Sequence, residues 1–405
     1  MALFSFLRAH TKESTMLVLH VDVGQGNCRG ALLRHGHKRE MVFSSGGVGK
    51  IVHGVHGKSV SVTLASLAEI LSDVSKFLLD EKKSGLKIKV GSIYVILAAP
   101  YYLSHTATIK YRDDAGFVVT PKLVSDLIEG YKKADDEHIK DHEDAKVGEE
   151  PQVIGERVIH CKINGYHTTN PYGKRAKSLE INAFRTEVDD EVVNGISREI
   201  KKVFQVPISF EPLSLAVYIA LRNHVHFDQD FIFVIVGNEV SEISLVKGYT
   251  LVETVSFPFG KHSLMRHLSR ELKTPDELVS EDVSLYVRNS MNATEKTKFS
   301  IALDSGGKGW FSFLEKALVS LSNESAVPPV VYLVSDNDVQ PLFKRFIETD
   351  SYAHQALVPN GFSVIPIDSE LAKTLMDFGI HASCDTLLCL EGLFALSTKL
   401  PIQNH

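Results

Sequence analysis

No Cys-x-x-Cys pair occurs in this chain, and its four cysteines, Cys28, Cys161, Cys384 and Cys389, fit neither a zinc ribbon nor a redox dithiol. No leader-like segment precedes them, so they are expected to be reduced, mostly buried thiols of a cytosolic protein. A basic excess is also missing. Lys and Arg number 44 against 50 Asp and Glu, a formal charge of −6, which argues against a general nucleic-acid binder. No apolar run reaches the roughly 18 residues that a membrane span requires. The histidines are scattered, and His224-Val-His-Phe-Asp-Gln229 has glutamine where a zinc hydrolase would need its last ligand. Ser45-Gly-Gly-Val-Gly-Lys50-Ile lacks the hydroxyl that would hold magnesium after a phosphate-loop lysine, so it reads as an ordinary glycine turn. What remains is ordinary: 405 residues, 44% hydrophobic and 23% charged, a soluble chain too long for one compact core.

The most informative feature is a repeat. Val21-Asp-Val-Gly-Gln-Gly-Asn-Cys-Arg-Gly-Ala-Leu runs on to Glu40-Met-Val-Phe, and Val234-Ile-Val-Gly-Asn-Glu-Val-Ser-Glu-Ile-Ser-Leu runs on to Glu253-Thr-Val-Ser. Without a gap, Val21, Val23, Gly24, Leu32 and Glu40 fall on Val234, Val236, Gly237, Leu245 and Glu253. Each copy reads as an apolar strand, a tight glycine turn, an alternating strand, a second turn and a third strand. That predicts a β-meander in each of two halves.

Between and after the meanders, helical spacing predicts helices over residues 60–79, 189–204, 263–272, 310–321, 339–347 and 385–396. Strands are expected at 88–100 and 330–334. Asp304-Ser-Gly-Gly-Lys-Gly-Trp310 is expected to be a flexible loop before a helix. The charged run from Tyr131 to Lys146 is most simply a solvated helix end and loop. The first sixteen residues stand apart, and wound as a helix they place Leu3, Phe4, Phe6 and Leu7 on one side. That side is a candidate contact with a membrane interface or a protein partner, weak for one copy.

Two halves that each open on a meander and a glycine turn resemble the actin-like ATPase superfamily. Val153-Ile-Gly-Glu-Arg-Val-Ile-His-Cys-Lys-Ile-Asn-Gly-Tyr, continuing through Asn170-Pro-Tyr-Gly to Ile181, resembles a segment of the bacterial cell-division protein FtsA. Ile93-Tyr-Val-Ile-Leu-Ala-Ala-Pro100 resembles the entry to that family's inserted subdomain, and PilM, an adaptor of type IV pilus assembly, shares the plan. The resemblance covers roughly residues 17–400. It implies an α/β, actin-like two-domain fold with a duplicated β-meander and an inserted subdomain of FtsA type. The domains would be a tail at 1–16, domain I at 17–90 and 187–229, the insertion at 91–186, domain II at 230–384, and a closing helix at 385–405 returning to domain I.

The same resemblance implies a cleft for ATP and magnesium. Its residues would be Asp22, Gly24, Gly26 and Asn27 in the first turn, Gly237 and Asn238 in the second, and Ser335 and Asp336 on the adenosine side. Glu211 matches a position that orients the attacking water in related ATPases. Departures weaken the site: Ile235 stands where the second turn has an acid, Glu239 would bring negative charge to phosphates, and Val240 adds bulk where backbone must come close. The expectation is a degenerate, non-hydrolysing site in an FtsA- or PilM-like scaffold. Such a scaffold would have protein partners of a division or pilus assembly, peripheral membrane contact and self-association. An active polymerising ATPase and a kinase on the same fold are the alternatives.

Overall fold

A computed structural model describes residues 14–22, 27–35, 38–46, 56–85, 88–140, 152–168, 170–225, 229–322, 326–349, 358 and 361–397. The chain opens with β1 (Ser14–Asp22), β2 (Asn27–His35) and β3 (Arg39–Gly46), an antiparallel meander. Helix α1 (His56–Lys83) leads to β4 (Val90–Leu97), which lies parallel to β1. The inserted sheet follows: β5 (Tyr102–Val118), α2 (Pro121–Lys140), β6 (Gln152–Ile163), β7 (Tyr166–His167) and β8 (Arg175–Val188), in the order β5-β8-β6-β7. Then α3 (Asp190–Val203), β9 (Ile208–Pro212) and α4 (Leu213–His224) return to the first lobe.

The second lobe repeats the scheme. It has β10 (Phe231–Val236), β11 (Ser241–Lys247) and β12 (Thr250–Phe257), then α5 (Lys261–Leu272), α6 (Asp276–Val287) and α7 (Ala293–Ser322). After these come β13 (Val330–Ser335), α8 (Gln340–Thr349), β14 (Ser363–Ile367), α9 (Ser369–Leu375), β15 (Asp377–His381) and α10 (Thr386–Ser397). The sheet orders are β15-β3-β2-β1-β4-β9 and β12-β11-β10-β13-β14. Without β15, both have the third meander strand at one edge and two parallel strands beside the first.

The meanders match strand for strand, but the ungapped alignment slips across the turns. Asp22 pairs with Asn27 at the end of the first hairpin, whereas Ile235 pairs with Glu242 and Val236 still pairs with Ser241. The second hairpin is one residue pair longer. Leu245 pairs with Glu253 but Leu32 pairs with Phe43, so Glu40 and Glu253 are not equivalent.

Three layers of core follow from strand alternation. Leu17, Leu19 and Val21 of β1 pack toward α1 and α3, while Val18 joins a central core with α4 and α10. Phe231, Phe233 and Ile235 of β10 reach the same central core from the other lobe, and Ile232, Val234 and Val236 pack toward α5–α8. Helices α4 and α10 are thus buried on nearly every side, and mostly apolar, as a layer between two sheets has to be. β15 pairs with β3, so the chain is back on the first lobe at Asp377, earlier than the expected 385. The insertion likewise begins at Tyr102, because β4 belongs to the first sheet.

The glycine-rich stretch at Asp304–Trp310 departs from its expected loop. It lies inside the 30-residue α7. A Cβ on Gly306 would sit 2.8 Å from Leu264 of α5, and one on Gly307 would sit 2.5 Å from the Phe346 ring of α8. Close helix approach, and not a turn, selects glycine at these positions.

The inserted sheet touches both lobes. Thr106 Oγ1 donates to the Leu251 carbonyl at 2.7 Å and His167 stacks on Tyr249, both partners lying in the second lobe. Arg157 of β6 donates to Glu211 of β9 in the first lobe, and Tyr218 of α4 separately donates to the Tyr249 carbonyl at 2.6 Å. The buried Tyr102 hydroxyl donates to Glu242 on β11. Burial, with Tyr102 and the Ala99 backbone bonding the other way, pushes the Glu242 carboxyl up to about 7.

Candidate functional site

A cleft of about 280 Å³ lies between the lobes, lined among others by His20, Asp22, Arg29, Gly237, Asn238 and Asp336. Strand ends and helix starts build it. Asp22 closes β1 with only 7% of its surface exposed, and Asn238 Nδ2 donates to its Oδ2 at 3.4 Å from the opposite lobe. Asn27 stands across the first hairpin from Asp22, its Oδ1 buried without a partner among the described residues. Gly24 and Gly26, between these two, lie outside the described residues, as do Leu3, Phe4, Phe6 and Leu7.

The second turn is held by backbone. Gly237 N–H donates to the Val240 carbonyl at 3.0 Å, and a Cβ on Gly237 would lie 2.9 Å from that same oxygen. Gly260 packs directly against the turn, where a Cβ would sit 2.5 Å from the carbonyl oxygens of both Gly237 and Asn238. This close approach lets the first N–H groups of α5 reach the turn: Lys261 N donates to Gly237 O at 2.9 Å and His262 N to Asn238 O at 2.7 Å. A helix start is normally a ready anion site. Here the protein's own carbonyls occupy it.

Contrary to the expectation from sequence, Glu239 does not line this cleft, although it borders the small pocket beside Asp22 and Asn238. Its carboxylate is clamped by Arg266 of α5 through two bonds of 2.5 and 2.6 Å, and Ser263 adds a third at 3.3 Å. Glu211 is likewise not among the residues lining the cleft. Its carboxylate accepts from Arg157 of β6, inside the insertion, and burial raises its carboxyl against the pull of that guanidinium.

Ion pairs gather beside the cleft, and one of them, Arg29 with Asp336, joins the two lobes. Arg29 of β2 donates to Asp385 Oδ2 at 2.8 Å and lies 3.8 Å from Asp336 Oδ1 at the end of β13. Lys261 binds the far side of Asp336 at 3.0 Å and Asp338 at 2.9 Å. Burial works against charge at both cations, but Asp385 and Asp336 push Arg29 up, and Asp336 and Asp338 push Lys261 up. Burial also acts to raise Asp336, yet Lys261 and Arg29 hold it below the usual carboxylate range. Asp385 has a second role: its Oδ1 caps α10 by accepting from Leu387 N at 2.9 Å and Leu388 N at 3.0 Å. Below these pairs His20 Nδ1 meets the buried Glu391 at 2.6 Å, joining β1 to α10.

Five expected residues therefore do line one cleft: Asp22, Gly237, Asn238, Ser335 and Asp336. Sequence reasoning missed Arg29, Lys261, Asp385, His20 and Glu391, none of which lies in a recognisable motif. The described residues do not by themselves fit a magnesium nucleotide. Asp22, Asp336 and Asp385 face the cleft with one guanidinium, Arg29, that the last two already engage, whereas phosphates need free cations and N–H groups. Among the described residues no group of three or more His, Cys, Asp or Glu is arranged to hold a metal ion.

No family model matches this chain, and no curated protein does. Among solved structures it is similar to the PilM-PilN type IV pilus biogenesis complex, with 11% identity and a TM-score of 0.59, covering 95% of this chain and 97% of that one. It also aligns with the ethanolamine utilization protein EutJ from Carboxydothermus hydrogenoformans, at 11% identity, 94% and 89% coverage and a TM-score of 0.41. The cytoplasmic domain of EpsL, an inner-membrane component of the Vibrio cholerae type II secretion system, aligns at 9% identity, 95% and 96% coverage and 0.37. The last two scores are too low to argue from. The fold is the actin-like ATPase fold, with a duplicated meander and an inserted subdomain.

Proposed function

We propose that this chain is a non-catalytic actin-fold scaffold, a protein-docking component of a membrane-associated assembly of the pilus or cell-division kind. The observation that carries this reading is the cleft itself. Where an actin-fold ATPase would hold phosphates and a metal, Arg29 pairs with Asp385 of its own lobe and, at 3.8 Å, with Asp336 of the other, while Lys261 pairs with Asp336 within the second lobe. The Arg29–Asp336 contact links the lobes without a ligand, and a nucleotide would have to break these pairs to enter. The inserted sheet supports the same reading, because its contacts, through Thr106 to the second lobe and Arg157 to the first, oppose the hinge motion that a hydrolysis cycle needs.

The likeness in shape to a protein solved in complex with a pilus component supports protein partners. In this reading Leu3, Phe4, Phe6 and Leu7 form the contact with membrane or partner, and the protein works in the cytoplasm at the inner face of the membrane. Among the described residues no helix is long and apolar enough to cross a membrane. Self-association would bring several copies of that weak contact together.

Calorimetric titration with Mg-ATP and Mg-ADP tests the reading. The expected result is no saturable heat and no phosphate release. Turnover of a few per minute that Asp22→Ala abolishes would instead establish the polymerising ATPase. For the amino-terminal contact, co-sedimentation with anionic liposomes should fall on deleting residues 1–12 or on Phe4→Glu. Equal sedimentation of all three proteins would remove the membrane role.

A further inference from the structure

At the end of the first lobe opposite the cleft, α1, β4 and α3 leave a groove of about 530 Å³ between them. Its floor is apolar: Leu78 from α1, Ile88 just before β4, and Phe204 just after α3, all half-buried. Leu79 and Val203 form its rim, 57% and 45% exposed. A folded surface scatters single apolar residues freely, but a recessed cluster with two large side chains raised at its edge is a binding feature. Among the described residues the charged ones lining it are Lys82 and Lys89. Both are exposed, and neither forms an ion pair among the described residues, whereas neighbouring Lys83 and Lys202 are tied to Asp80 and Glu199. On a chain of net charge −6, a concave apolar groove with two uncommitted cations selects its ligand by charge.

We infer that this groove docks an acidic amphipathic segment of a partner protein, apolar side chains on the floor and carboxylates toward Lys82 and Lys89. The inference rests on the scaffold reading, in which binding proteins is the activity. The occupant is a peptide and not a lipid surface because three of the five apolar residues, Leu78, Ile88 and Phe204, lie half-buried below the rim, where a flat membrane does not reach them. A membrane takes up protruding side chains, and two lysines add little to anionic-lipid attraction. The place also suits a scaffold. β1 and β4 run from the groove, at Thr15 and Val90, to the cleft, at Asp22 and Leu97. A partner seated there grips one lobe and leaves the cleft and the inserted sheet free.

The test uses the full-length protein and two fluorescent synthetic 16-residue peptides, with Leu and Phe on one helical face and either Glu or Lys on the other. Anisotropy should show the acidic peptide binding at least tenfold more tightly than the basic one. Lys82→Glu/Lys89→Glu should reverse that preference, and Val203→Asp should weaken the acidic peptide at least tenfold. Circular dichroism melts confirm that these surface variants fold. Equal affinity for both peptides, or wild-type affinity in the charge-reversed protein, overturns the inference. Binding to phosphatidylglycerol vesicles that these variants abolish, with no peptide binding, overturns it in favour of a membrane. The Mg-ATP titration is independent of the groove, so loss of peptide binding with no nucleotide heat fails this inference alone, while nucleotide turnover fails the scaffold reading.

Discussion

Replacing Arg29 with methionine keeps most of the aliphatic stem and removes the guanidinium from the cleft. Its charged head is shared between Asp385 at 2.8 Å and Asp336 at 3.8 Å, with the Arg29 and Asp385 side chains 16% and 21% exposed. A fully exposed pair contributes about 0–1 kcal/mol, and breaking a fully buried one costs about 3–5. The partial exposure places this loss between them, at about 2–3 kcal/mol. Lys261 still neutralises Asp336 after the change, so the cost falls mainly on Asp385. Asp385→Asn is the matching partner because an amide oxygen can still cap α10, as Asp385 Oδ1 does for Leu387 and Leu388. A double-mutant cycle by urea unfolding should give a coupling energy of about 1–3 kcal/mol. It should shrink in 0.5 M NaCl by less than an exposed pair would. A single-mutant cost below about 0.5 kcal/mol with additive effects would refute the claim that the Arg29–Asp385 pair stabilises this wall of the cleft.

Glu242 sets a pH dependence. Its folded carboxyl lies at about 7 against an ordinary 4.5, so the folded state binds more protons between those values. Its contribution is fully present below about pH 4.5 and is lost as pH rises to 7, on the order of 3 kcal/mol. Glu242→Gln should flatten the difference between urea midpoints measured at pH 5.5 and 8, and an unchanged difference would show that other groups set it. Gly260→Ala drives a methyl into two backbone carbonyls and should lower the melting temperature sharply. Gly46→Ala, whose Cβ meets nothing nearer than 3.9 Å, should change it little, and equal effects would count against the tight turn–helix contact. Tyr218→Phe removes the bond to the Tyr249 carbonyl and should cost about 1 kcal/mol in thermal or urea unfolding, a neutral result meaning that this contact is not needed.

The architecture was largely legible in the chain because it is written in local patterns. Alternating runs after Val21 and Val234 announced the two meanders, and Asp189 was readable as the start of α3, where it bonds Glu191 N. Five residues of the cleft were placed by the resemblance, since turns at strand ends keep their position in a fold even when their chemistry changes. The partners that fill the cleft were not legible. Arg29 meets Asp385 across 356 residues of sequence, and no spacing rule connects a strand arginine with a distant helix cap. Gly306 and Gly307 misled for the converse reason. A helix glycine chosen for contact with Leu264 or Phe346 carries the same local signal as a loop glycine, and only tertiary structure separates the two.

The late return of the chain to the first lobe sets an order on its synthesis. The second sheet is drawn from one continuous stretch, Phe231–Ile367, and each of its strands finds its neighbours inside that stretch. The first sheet receives β15 only when Asp377–His381 has been made, and both sheets wait longer still for α10 to cover their facing sides. A ribosome delivers residues from the amino end. Val18, Ala31 and Leu33, made long before α10, are therefore among the last to be shielded from water. Until then, that face is where a holding chaperone would have most to cover.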